Sequence, residues 1–135
     1  MRGFWRDKRG VATIELTFAL AILSMLFFGS LELSRAYSVK HSLDTGTYRA
    51  ARYLSYNPSD LAGATAIVRD EVRNSLGGSL ANQVQVSLDM PSNRFQAVFT
   101  VRASVPYAPL TSVPFVSIGS RVLAGQHSQS IERYP

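Results

Sequence analysis

An α+β protein hung on one long N-terminal helix is the fold class this sequence predicts, and three observations predict it. Residues 11–31 are apolar and carry a single charge, Glu15. An apolar pattern of helical spacing continues beyond them, with no proline before Pro58. After Gly77-Gly78 the apolar period drops to two, the spacing of strands. The expected division is a basic segment at 1–10, a transmembrane helix at 11–31 and its extramembrane continuation at 32–56. A small α+β domain follows at 57–135, with a second helix and a roughly three-stranded antiparallel sheet.

The first element is the apolar run. As a helix, its 21 residues span roughly 31 Å, about the thickness of a hydrocarbon core. Thr13, Thr17, Ser24 and Ser30 add polarity, but a helix can bond such hydroxyls back to its own carbonyls. A buried core helix is the rival reading. This stretch is apolar on every face, and about a hundred remaining residues cannot cover it. The run is therefore read as a membrane span.

The net charge of +5 would ordinarily suggest an acidic partner. It is unevenly placed, because Arg2, Arg6, Lys8 and Arg9 against Asp7 give the first ten residues +3. With no basic stripe interleaved with aromatics further on, nucleic acid is not expected as a partner. The same cations orient the span, with Met1 in the cytoplasm and the bulk of the chain outside it. Cysteine is absent, which removes disulfides, thiol catalysis and cysteine metal sites.

A secretory signal would carry its small-residue cleavage site after the apolar stretch. Here Gly10 lies before it, between the cations and the apolar run. A cut between Gly10 and Val11 would leave the hydrophobic segment in the mature chain, with Glu15 as its fifth residue. "KRG-VATIE" resembles the leader junction of type IV prepilins. The longer stretch, with Gly10, Glu15, a long apolar helix, Gly29 to Glu32 and Ala50-Ala51-Arg52-Tyr53, is similar to the TadE-like family. Those are minor pseudopilins of tight-adherence (Flp-type, type IVc) pili. Such helices often carry a proline about six residues after the glutamate, where this chain has Ala21.

The resemblance implies a bacterial inner-membrane protein with a single pass and a prepilin-type leader at 1–10, cut by a prepilin peptidase. Its implied partners are that peptidase, the major pilin, other minor pseudopilins, the pilus assembly platform and membrane lipid. Cleavage would free an α-amine on Val11, protonated at neutral pH. Glu15 stands at the i, i+4 spacing from it and can pair with it, or with the amine of a staggered neighbour. A lone carboxylate at mid-span costs roughly 2.5–3.5 kcal/mol, so pairing favours one axial stagger. Helix packing would use the small residues Ala19, Ala21, Ser24 and Gly29.

Beyond the span, Leu31, Leu33, Ala36, Tyr37, Val39, Leu43, Tyr48, Ala51 and Leu54 predict an amphipathic continuation, with Gly46 a weak interior break. A second helix is expected from Asn57 as cap and Pro58 in the first position to a stop at Gly77-Gly78. Leu61, Ala64, Val68 and Val72 are its apolar stripe, and Arg69, Asp70, Glu71 and Arg73 a solvated face. Val84 to Met90 and Phe95 to Val105 alternate as strands around the turn "DMPSNR", with a third strand within Arg121 to Glu132. The apolar, proline-bearing stretch 105–118 reads as a flap on the sheet, or as a contact surface.

No catalytic constellation, cofactor site or metal-ligand spacing emerges. His41 and His127 stand isolated in the sequence, and "LGG" is a helix stop rather than a phosphate loop. The rival readings are an uncleaved signal-anchored surface protein and a membrane-tethered ligand-binding domain. Processing separates the first from a pseudopilin. N-terminal sequencing of the membrane-fraction protein is expected to begin at Val11. A chain starting at Met1, or cut after the apolar run, contradicts the leader assignment.

Overall fold

The structure is a computed structural model that describes residues 8–110 and 119–132. Its first element, α1, is a 49-residue helix, Lys8–Tyr56, about 74 Å long. It is followed by α2 (Leu61–Leu76), the short α3 (Gly78–Ala81), β1 (Gln85–Asp89), β2 (Val98–Tyr107) and β3 (Arg121–Ser130). The strands form one antiparallel sheet in the order β1-β2-β3. The expected α+β architecture, with a long apolar helix leading into a small sheet domain, is the one observed.

The core lies where the outer half of α1, α2 and one face of the sheet meet. Val39, Leu43, Ala50, Ala51 and Leu54 of α1 are fully buried against Ala64, Val68 and Val72 of α2. Phe99, Val101, Ala103 and Val105 close it from β2. Burying a side chain of this size contributes about 1.5–3 kcal/mol, so this cluster is what holds the domain on its helix. Of the α1 residues expected on that stripe, Leu31, Leu33, Tyr37 and Tyr48 are instead exposed. Ser42, Thr47 and Ser55 take buried places, each donating its hydroxyl to a carbonyl three or four residues back. That bond satisfies the group locally and lets a small polar residue stand where a larger one would not fit.

Gly46, expected as a weak break, is a point of close approach between the two helices. A Cβ there would stand 3.2 Å from the Cα of Val68. Helix α2 begins later than expected. Asn57 and Pro58 lie in a turn, with the amide of Asp60 donating to the Asn57 carbonyl. Asp60 is the cap, accepting from the Gly63 amide at 2.9 Å and from the Tyr53 hydroxyl at 2.5 Å. Those donors, the hydroxyl first, hold its carboxyl below the usual range. Helix α2 stops at Leu76 with Gly77 at φ +92°, but the chain then adds the unexpected single turn α3, which buries Ala81. Glu71 is not simply solvated: it pairs with Arg49 of α1 at 2.5 Å.

Strand β2 is shifted two to three residues along the chain from its expected place. Phe95 and Gln96 belong to the preceding turn, while Pro106 and Tyr107 extend the strand. A proline is tolerated in this central strand because β1 reaches only as far as Ser104, leaving no ladder partner on that side. The proline-bearing stretch is thus strand through Tyr107, and residues 111–118 lie outside the described residues. Strand β3 runs beside α1 in the same direction, so close that a Cβ on Gly125 would come within 2.8 Å of the Leu43 carbonyl carbon. Backbone cannot move aside as a side chain can. Gly125→Ala is therefore expected to destabilise the domain by about 1–3 kcal/mol, read as a lowered Tm in detergent micelles.

Candidate functional site

The first half of α1 presents its side chains outward on all sides. Within its most apolar eighteen residues none is buried inside the chain, and Phe18 and Leu26 are 68% and 64% exposed. The hydroxyls in this half turn inward along the helix. Thr17 donates to the Thr13 carbonyl at 2.8 Å, Ser24 to Ala21 at 2.9 Å and Ser30 to Phe27 at 2.8 Å. The expected route for satisfying these groups without water is the one observed. This one N-terminal helix is long and apolar enough to cross a membrane.

Gly10 and Val11 lie in the first turn of α1, so the bond between them is helical in this conformation. A peptidase that needs an extended strand must first unwind that turn, which glycine makes easy. Glu15 is exposed and stands one turn above Val11, without an ion pair among the described residues. The four small residues expected to pack against other helices fall on two faces. At about 100° per residue, Ala19 and Gly29 share the side of Val11 and Glu15, within roughly 80°. Ser24 lies on the opposite side, and Ala21 flanks Val11 and Gly29 at about 80° in the other direction. Added Cβ atoms at Gly10 or Gly29 would meet nothing within 4 Å, so neither glycine is required by packing within the chain.

A polar junction sits where the apolar run ends. Glu32 is 5% exposed, and its carboxylate accepts a hydrogen bond from the hydroxyl of Tyr107, the last residue of β2. Arg35, one turn on, lies 3.8 Å from the carboxylate, with its guanidinium 5.2 Å from the Tyr107 ring centre, and donates to the Ala108 carbonyl at 3.4 Å. Burial, then the hydrogen bond and charge of Glu32, push the Tyr107 phenol up to about 12, with Arg35 opposing. A second polar clasp closes the other end of the domain. Glu132 accepts from Arg52, from Tyr56 at 2.5 Å and from Gln129 at 3.1 Å, and the Glu132 amide donates to the Ser55 carbonyl. These donors, Tyr56 foremost, hold the Glu132 carboxyl below its ordinary range. The histidines serve as ring partners: His41 stacks on Tyr37, and His127 meets Tyr48 edge-on at 5.0 Å.

Sequence reasoning did not single out Arg35 or Tyr107. Glu32 was visible only as part of the Gly29-to-Glu32 element, and Tyr107 was placed in a loop. The available signal was a carboxylate directly after the span, one turn before a cation. An arrangement of this kind fixes the end of β2 against α1.

Loss of the Tyr107 hydroxyl leaves a buried carboxylate short of a donor, so Tyr107→Phe is expected to cost about 1–3 kcal/mol. The pH dependence has a definite sign. A phenol raised in the folded state contributes stability that is complete below its unfolded value near 10 and is lost as pH climbs towards about 12. Tyr53 and Tyr56 are shifted upward as well, by their hydrogen bonds to Asp60 and Glu132, and act in the same direction. Thermal melts between neutral and strongly alkaline pH isolate the Tyr107 share: the gap between wild type and Tyr107→Phe should narrow through that window.

The family model described as "TadE-like protein" matches residues 10–52. No curated protein and no solved structure matches the chain. The matched stretch begins at Gly10, runs through the exposed apolar half of α1 and includes Glu32 and Arg35 before ending at Arg52. Over these residues the chain is similar to the TadE-like family, as the sequence motifs suggest.

Proposed function

We propose that the protein is a minor pseudopilin of a tight-adherence pilus or a related secretion filament, anchored in the bacterial inner membrane by α1. The observation that carries this reading is the TadE-like match over residues 10–52, laid on a helix whose most apolar eighteen residues include none that is buried among the described residues. Residues 1–10 form a leader, a prepilin peptidase cuts between Gly10 and Val11, and the freed amine pairs with Glu15 of its own or a neighbouring chain. The N-terminus faces the cytoplasm and the sheet domain lies on the other side. The protein works by assembly rather than catalysis, through contacts with the major pilin, other minor pseudopilins, the assembly platform and lipid.

Two helix faces suit such a role better than one. The face bearing Val11, Glu15, Ala19 and Gly29, flanked by Ala21, combines the charge pair with small residues, while Ser24 leaves a shallow place on the opposite side. A helix packed among others in a filament needs neighbours on more than one side.

Glu15→Ala tests the reading. The change keeps a good helix former and makes the span more apolar, so membrane levels and processing are expected to hold. Pairing with the amine is lost, an interaction of about 1–3 kcal/mol, or roughly tenfold or more in an association equilibrium. Crosslinking to other pilins and piliation should fall, with Glu15→Gln between the two. Wild-type crosslinking and piliation in Glu15→Ala would make the carboxylate a bystander.

A further inference from the structure

We propose that the end of the sheet domain next to the span rests on the lipid surface of the membrane that α1 crosses, making an interfacial contact of its own. The inference rests on the reading of α1 as a membrane helix and adds a second site of lipid contact, on the folded domain.

The argument begins with height. The Tyr107 hydroxyl is bonded to Glu32, the first residue beyond the apolar run, and Arg35 holds the Ala108 carbonyl. These bonds tie the end of β2 to the helix at the level where hydrocarbon gives way to headgroups. Val122, opposite Pro106 in the sheet, and Arg121, opposite Tyr107, sit at the same level.

The second observation is what this end displays. Leu110 is 78% exposed, Leu33 73%, and Tyr37 and Val122 each 70%. On the open face of the sheet the chemistry changes along the strands. Thr100, Arg102, Gln126 and Ser128 occupy the far part, and Pro106, Val122 and Ala124 the part near the span. Val98, at the far end, is the one large apolar exception on that face among the described residues.

The third is the character of a membrane interface, which favours tyrosine with its apolar body and polar tip, and long cations that bury their stems and lift their charge to the phosphates. Tyr37 and Arg121 are of these types and are exposed at this end. A patch continuous with a membrane span is covered most simply by the same membrane.

The chain contains no cysteine, so single labelling sites can be introduced without background. Leu110→Cys, Val122→Cys, Val98→Cys and Ser24→Cys variants of the full chain, each carrying an environment-sensitive thiol fluorophore, would be reconstituted in phosphatidylcholine vesicles with and without brominated acyl chains. Labels at 110 and 122 are expected to emit at shorter wavelength and to be quenched by brominated lipid more than the label at 98. The label at 24 reports the span. If it is quenched and those at 110 and 122 behave like the one at 98, the interfacial contact is wrong while the membrane helix stands. A blue shift at 110 and 122 without lipid quenching overturns the proposal in favour of a protein neighbour. If the label at 24 is not quenched, the span fails and the proposal falls with it.

Discussion

The rest of the molecule depends on one constraint: a single helix runs without a break from an outward-facing apolar half into a half that carries a packed domain. Over residues 11–31 it is apolar on every side, as a hydrocarbon surround would require, and it ties its hydroxyls to its own backbone. From Glu32 onward it meets water on one side and a protein core on the other, and its buried residues narrow to one stripe. Proline is absent throughout and Gly46 lies under α2; Gly29-Ser30, at the boundary of the two halves, is a pair of the kind at which helices bend, and here the helix runs through it without a break.

The domain is held on that helix differently at its ends and in its middle. Between them the attachment is apolar contact and close backbone approach, at Gly46 against Val68 and at Gly125 against Leu43. Polar clasps stand at the ends, Glu32 with Tyr107 and Glu132 with Arg52 and Tyr56. Apolar contact supplies most of the free energy but little direction. A half-satisfied buried carboxylate is costly, so the Glu32 clasp defines where along the helix the sheet can sit. The Glu132 clasp is more open to water, and its ion pair is worth correspondingly less.

Most of the architecture was legible because it rests on period and punctuation. A helical repeat without proline, a glycine pair and a change to a period of two marked α1, the end of α2 and the sheet. The misses share a physical origin in groups that find partners far along the chain. Asp60 displaced Asn57 as the cap because Tyr53, seven residues earlier, also donates to it. Glu71 left its solvated face for Arg49, and Tyr107 became strand because Glu32 holds it 75 residues away. At the candidate site, Gly10, Val11 and Glu15 could be named from sequence because their relation is local. The division of the small residues into two faces needed only the helical angle. The junction at Glu32 needed the fold.

An unbroken helix is also a rigid shaft, and that has a rotational consequence. Glu15 and Glu32 are 17 residues apart, so the carboxylate near the N-terminal end of the helix and the side that carries the domain differ in azimuth by about 100°. Any neighbour that grips Glu15 thereby dictates the compass bearing of the sheet at the other end of the helix. One residue inserted or deleted between them would swing the domain by about 100° while changing its height by only about 1.5 Å. Seven would nearly restore the bearing, leaving about 20°. Length and phase are thus separable in this molecule, and phase is the more sensitive of the two.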